Sequence, residues 1–206
     1  MANGNDRLVW IDCEMTGLDV EIDELVEVAV VITDFDLNIV DNGFTIVIKP
    51  GQAALDHMGE FVRDMHQSSG LLEAIPDGVN LADAETAVLE YIQKFVPVAQ
   101  QAPIAGNTIG TDRAFLARYM PRVDTHLHYR NVDVSSIKEL VRRWLPRVYF
   151  NAPAKDGGHR ALADIRESIR ELDFYRKTAF VGDPGPSTDD VQAIATTVVE
   201  DFASRL

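Results

Sequence analysis

The first apolar run, Arg7 to Cys13 (RLVWIDC), is hydrophobic almost to its end, and a second, Glu24 to Asp34 (ELVEVAVVITD), is rich in β-branched residues. A third extended run, Leu37 to Lys49, is interrupted by Asp41-Asn42-Gly43. β-branched residues bounded by turn formers favour strands, so three adjacent strands are predicted. From Leu55 the period changes. Leu55, Met58, Phe61, Val62 and Met65 recur at helical spacing, as do Ala87, Val88, Tyr91, Ile92 and Phe95 within Asp83 to Val96, which predicts two helices.

Pro103 to Gly106 then reads as a short buried strand, followed by a helix near Asp112 to Met120, a strand around Asn131 to Val134 and a helix from Ser135 to Leu145. A final core helix is predicted from about Ala161 to Ala179. Strands first, then α and β interleaved, is the pattern of an α/β fold with a mixed sheet covered by helices. The segment Gly182-Asp183-Pro184-Gly185-Pro186-Ser187 marks a break. Beyond it Val191, Ile194, Ala195, Val198, Val199 and Phe202 form an amphipathic stripe that has to be buried somewhere. The chain thus divides into a core unit, residues 1–181, and a tail, residues 182–206. There is no internal repeat, so one catalytic unit is expected.

At 206 residues, 46% of them hydrophobic, the chain is long enough for one sizeable core. Met1 to Asp6 is polar, and no later apolar run approaches the roughly 18 residues that span a bilayer, so a cytoplasmic protein without a membrane partner is expected. The lone Cys13 excludes an internal disulfide framework and a cysteine-based zinc site. The net charge of −14 disfavours tracking along long duplex nucleic acid, which takes a Lys/Arg-rich surface. A substrate with few phosphates, bound with the help of cations, remains compatible.

Asp12 and Glu14 close the first strand, and the period of two turns both to one side and Cys13 to the other. Paired carboxylates repel unless protons or cations intervene, which makes the pair a candidate site for magnesium or manganese; a solvated strand end carries the same tripeptide. Asp112 opens a helix, where it could serve the helix dipole or a metal. Asp164 lies at the edge of the apolar face made by Ala161, Ile165, Ile169 and Leu172, within reach of the sheet or in solvent. On one continuous helix His159 and Asp164 would stand about 140° apart, so a shared site needs His159 in the loop that Gly157 and Gly158 loosen. There it could take a proton from an attacking water, or have no catalytic role.

In order and wording, Asp12-x-Glu14, Asp112 and His159-x-x-x-x-Asp164 resemble the signature of the DEDDh exonucleases. Within them the chain is most similar to the oligoribonucleases, through Leu8-Val9-Trp10-Ile11-Asp12-Cys13-Glu14-Met15-Thr16-Gly17-Leu18, Gly106-Asn107-x-Ile109-Gly110-x-Asp112-Arg113, His128-Tyr129-Arg130-Asn131-Val132-Asp133-Val134-Ser135-Ser136-x-Lys138 and His159-Arg160-Ala161-Leu162-x-Asp164. The resemblance implies a ribonuclease H-like fold, with a mixed five-stranded sheet surrounded by α-helices. It implies two divalent cations per site, Mg2+ or Mn2+, held by Asp12, Glu14, Asp112 and Asp164, with His159 as the base. The reaction implied is 3′-to-5′ hydrolysis of short RNA, dinucleotides included; a DEDDh exonuclease acting on DNA is the alternative.

The same resemblance implies a cap for the substrate's 5′ phosphate, built from Thr108, Arg130, Ser135 and Lys138. The start of the helix at Ser135 is expected to add backbone N–H groups to it. From the residues alone, Ser135 reads as a helix cap and Lys138 as a solvated cation. Thr108 departs from the serine usual in the family and keeps the hydroxyl. Leu18, Tyr129 and His66 are expected to pack against bases, with Tyr129 reaching the site of a homodimeric partner.

Overall fold

The computed structural model describes residues 6–154, 160–203 and 205. Three strands come first, β1 (Arg7–Met15), β2 (Leu25–Asp34) and β3 (Phe44–Val47). They are followed by the helices α1 (Gln52–His57), α2 (Glu60–Ser68), α3 (Leu71–Ala74) and α4 (Leu81–Phe95). Then β4 (Pro103–Gly106), α5 (Ile109–Tyr119), α6 (Pro121–His126), β5 (His128–Asp133), α7 (Val134–Trp144), α8 (Pro146–Tyr149), α9 (Ala161–Ala179) and α10 (Thr188–Ala203) complete the order. The strands form one sheet in the order β3-β2-β1-β4-β5, with β1–β2 and β2–β3 antiparallel and β1–β4 and β4–β5 parallel. The expected mixed five-stranded sheet is therefore present.

Alternation along β1 divides the core in two. Val9, Ile11 and Cys13 pack with α4, α5 and α6 through Val88, Ile92, Phe115 and Leu116. Leu8 and Trp10 face the other way, onto α7 and α9 through Val141, Ile165, Ile169 and Tyr175. By the same alternation Asp12 and Glu14 lie on the α9 side, at the end of the central strand.

Two expected elements are shorter than the apolar pattern suggests. The run from Leu37 to Lys49 pairs as a strand only over Phe44–Val47, with Ile39 reaching Thr33 through a single bridge. Between them Gly43 takes φ 85, a left-handed turn that suits glycine, and its N–H donates to Asp41 Oδ1 at 2.9 Å. The helix expected over Leu55 to Met65 is two, because Met58 (ψ 118) and Gly59 (ψ 155) leave the helical region.

None of the residues of α10 is buried. Its apolar stripe, which the pattern requires to be covered, stays open: Val191, Ile194, Val198, Val199 and Phe202 are all exposed. Among the described residues no helix is long and apolar enough to cross a membrane.

Candidate active site

Asp12 and Glu14 come from the end of β1 and Asp164 from the first turn of α9, and one carboxylate oxygen of each lies within 4.8 Å of the others. Asp112 reaches the same strand from α5. It does not open its helix, as the sequence suggested, but is the fourth residue of α5, whose first turn begins at Ile109. There its Oδ1 accepts the Cys13 N–H at 2.9 Å, which ties α5 to the strand between the two acidic residues.

Crowding and burial set the electrostatics. Burial first, and then Asp112, Glu14, Asp164 and Glu27, raise the Asp12 carboxyl well above the usual range. Glu14 is pushed up to about 8 by burial, Asp164, Glu27 and Asp112, with Arg160 opposing. Asp112 rises to about 6 through burial, moderated by the N–H groups it accepts. Burial, and for Asp12 and Glu14 the neighbouring carboxylates as well, favour the protonated forms, a condition that a hard cation relieves.

Glu27 is a member of this neighbourhood that the sequence reading passed over. It stands opposite Glu14 in the β1–β2 register and is 1% exposed. Its carboxylate accepts Arg160 Nη2 at 2.7 Å, Arg160 Nε at 3.3 Å and the Ala161 N–H at 3.2 Å. A buried carboxylate thus caps α9 and fixes where Asp164 begins its turn. The signal was a lone acidic residue inside the apolar run Leu25 to Ile32.

The loop after β1 is held by Asp23, which is buried and accepts Thr16 Oγ1 and the Asp19 N–H, both at 2.9 Å. A Cβ on Gly17 would lie 2.3 Å from Asp23 Oδ2, so glycine is required there. From this braced loop Leu18 projects with 78% of its surface exposed. Tyr129, at 72%, is also open, with the Arg130 guanidinium 5.4 Å from its ring centre. Both remain available to bases. His66 does not: its ring is fully buried, donates Nε2–H to the Met15 carbonyl at 2.8 Å and holds Nδ1 3.9 Å from Glu14 Oε2. It lies beside Glu14 rather than on the open surface that Leu18 and Tyr129 present. His159 lies outside the described residues.

Thr108 and Ser135 meet where α5 and α7 begin. Thr108 takes the left-handed conformation (φ 54, ψ 30), uncommon for a β-branched residue, and its N–H is shared by Asp133 Oδ1 at 3.0 Å and Ser135 Oγ at 2.9 Å. The Asp133 carboxylate also takes the Ser135 N–H at 2.9 Å and the Ser136 hydroxyl at 2.9 Å. At the helix start the Ser135 N–H is engaged by the N-cap carboxylate of Asp133. Ser135 Oγ donates its one proton to Asn107 Oδ1 at 3.0 Å, so in its 3.1 Å contact with Thr108 Oγ1 the threonine is the donor. Lys138 is not merely solvated; its Nζ lies 3.0 Å from Oε1 of the buried Glu171.

The sequence matches the RNase_T family, described as exonuclease, over residues 9–172. An oligoribonuclease of Leifsonia xyli subsp. xyli is 69% identical over 206 residues, covering all of both chains. An oligoribonuclease of Streptomyces coelicolor is 58% identical over 191 residues, 93% of this chain and 96% of that protein. The chain belongs to the oligoribonuclease family. Among solved structures, exonuclease I of Methylocaldum szegediense superposes with a TM-score of 0.60 at 20% identity, covering 84% of this chain and 40% of that one. E. coli exonuclease I in complex with a dT13 oligonucleotide gives 0.63 at 15% identity, over 83% of this chain and 41% of that one. At such identities the likeness is one of fold.

Within the oligoribonuclease family the RNase_T match ends inside α9, whereas the alignment with the Leifsonia protein runs through α10 to the last residue.

Proposed function

We propose that the protein is a 3′-to-5′ exoribonuclease that hydrolyses short oligoribonucleotides, dinucleotides above all, to nucleoside 5′-monophosphates. The convergence of Asp12, Glu14 and Asp164 beside Asp112, in a chain of this family, is the observation that carries the reading. An all-oxygen donor set, too crowded with negative charge to ionise fully alone, fits hard cations. In this reading Asp12, Glu14, Asp112 and Asp164 hold two magnesium or manganese ions. Bound there, such ions ease deprotonation of water and offset negative charge on the phosphodiester.

The chain's own groups do the rest. His159 takes the proton from the attacking water as its oxygen bonds to phosphorus and the P–O3′ bond breaks; the released 3′ oxygen takes a proton from solvent. Arg130 and Lys138 hold the 5′ phosphate beside Thr108 and Ser135, whose hydroxyl protons turn from Ser135 and Asn107 to reach it, while Leu18 and Tyr129 pack against bases. Such a cap makes a short chain the preferred substrate, because only in a short chain do both ends reach their sites together. Residues 1–181 form the catalytic unit and residues 182–206 an appended segment.

The enzyme acts as a homodimer in the cytoplasm, completing RNA turnover and degrading the linear dinucleotides left by cyclic dinucleotide signalling. An apolar groove lined by Ile137, Leu140, Trp144 and Phe180 supports a dimer contact beside α7. To test the activity, RNA and DNA dinucleotides are supplied at equal concentration with magnesium and the products identified. Nucleoside 5′-monophosphate released faster from RNA is expected. Faster release from DNA would assign a DNA exonuclease, and binding without release would assign a binding protein.

A further inference from the structure

Glu171 stands seven residues after Asp164 on α9, close to two full turns, and so shares its face of the helix. Its side chain is 7% exposed, and its contacts include Lys138 of the proposed phosphate cap and Tyr175 of the core. Oε1 lies 3.0 Å from Lys138 Nζ and accepts the Tyr175 hydroxyl at 3.1 Å; Oε2 accepts Asn107 Nδ2 at 3.2 Å. Asn107 Nδ2 also donates to Ser168 Oγ at 2.7 Å, and Ser168 in turn donates to the Asp164 carbonyl at 2.9 Å.

A carboxylate only accepts, so the face of the Asn107 amide turned to Glu171 must be its NH2. The amide oxygen is then left for Ser135, which commits the Ser135 proton to Asn107 and makes the Thr108 hydroxyl the donor in its contact with Ser135. The Lys138 ammonium has three N–H donors, of which Glu171 engages one, and its side chain is 35% exposed. Before substrate binds, one buried carboxylate thereby engages the cation and sets the proton arrangement of the hydroxyls.

Resting on the cap reading above, we infer that Glu171 is a positioning residue for recognition of the substrate's 5′ phosphate, acting through Lys138. It touches no substrate itself. Its effect is confined to how much better a 5′-phosphorylated dinucleotide is used than the same dinucleotide without the phosphate.

The test is that preference, the ratio of kcat/KM for the two dinucleotides, measured for the full chain with magnesium. Glu171→Gln is expected to lower it about fivefold to tenfold, the scale of one ordinary hydrogen bond, through a higher KM for the phosphorylated substrate. kcat, and kinetics on the unphosphorylated dinucleotide, stay as in the parent. Lys138→Met lowers the ratio too, and Glu171→Gln added to it lowers it by much less than it does alone. Glu171→Asp keeps the buried charge but withdraws it by one methylene, and is expected to lower the ratio as well, which preserves the test should the glutamine variant not fold. An unchanged ratio in both Glu171 variants, or full additivity with Lys138→Met, overturns the inference. If Lys138→Met and Ser135→Ala both leave the ratio unchanged, the cap reading itself fails and takes the inference with it.

Discussion

Glu27 and Arg160, 133 residues apart in sequence, form a two-bond ion pair in which both guanidinium contacts fall on one buried carboxylate, at 2.7 and 3.3 Å. The pair joins the strand opposite Glu14 to the residue that starts α9. Because the same carboxylate also accepts the Ala161 N–H, its loss leaves both a cation and a helix end without their partner. Arg160 is partly exposed, so solvent offsets some of that cost. Glu27→Ala is expected to lower stability in urea denaturation by about 2 kcal/mol, and activity by about tenfold to a hundredfold through misplacement of Asp164. Parent-like values for both would show that α9 is positioned by its packing alone.

The raised carboxyls make the metal-free protein sensitive to pH in a particular direction. Glu14 titrates at about 8 in the folded chain against 4.5 for an ordinary glutamate, and Asp112 at about 6. Across that window the folded state holds more protons than the unfolded one. The stabilisation from those protons is complete below the unfolded pKa values and is lost as pH rises through the folded ones. Thermal melts in chelator should therefore show a midpoint that falls from mildly acidic to mildly alkaline pH, and magnesium should restore most of the loss at the alkaline end. A midpoint that rises with pH in chelator would contradict the crowded cluster.

Removing one charge from the cluster should separate stability from function. Asp12→Asn keeps the shape and relieves repulsion from Glu14, Asp164 and Asp112, so the metal-free fold is expected to gain about 0.5–2 kcal/mol while activity falls more than about a hundredfold. Calorimetric titration with manganese should show the weakened binding directly. His159→Ala is expected to lose about 10²–10⁴-fold in kcat with metal binding retained, the mark of a proton acceptor. Equal loss of metal affinity in both variants would deny that division of roles.

Truncation at Gly182 removes α10 with its open apolar stripe but none of the residues around the carboxylates. Dinucleotide cleavage is expected to remain largely intact. Loss of both activity and dimerisation, measured by sedimentation, would show instead that the stripe is covered between subunits.

Where the sequence was legible, the reason was local. Period-two alternation placed Asp12 and Glu14 together, and the apolar face of α9 placed Asp164 at its edge and matched its observed ends. What escaped were partners brought together by topology, Glu27 with Arg160 and Glu171 with Lys138, neither of which any periodicity encodes. His66 escaped for a related reason. Its polar ring on a helix that shows a mostly open face gave no hint that it would turn inward beneath Met15. The splitting of the Leu55 to Met65 run at Gly59 was, by contrast, visible in principle, since glycine weakens a helix interior.

The central claim is that the carboxylate site and the 5′-phosphate cap together select very short RNA. A time course on 5′-labelled RNAs of graded length, from dinucleotides upward, with magnesium and then with chelator, tests it most directly. The account predicts that dinucleotides are cut fastest, that removing their 5′ phosphate slows them, and that chelator stops cleavage at every length. A rate that is flat or rises with length would contradict it.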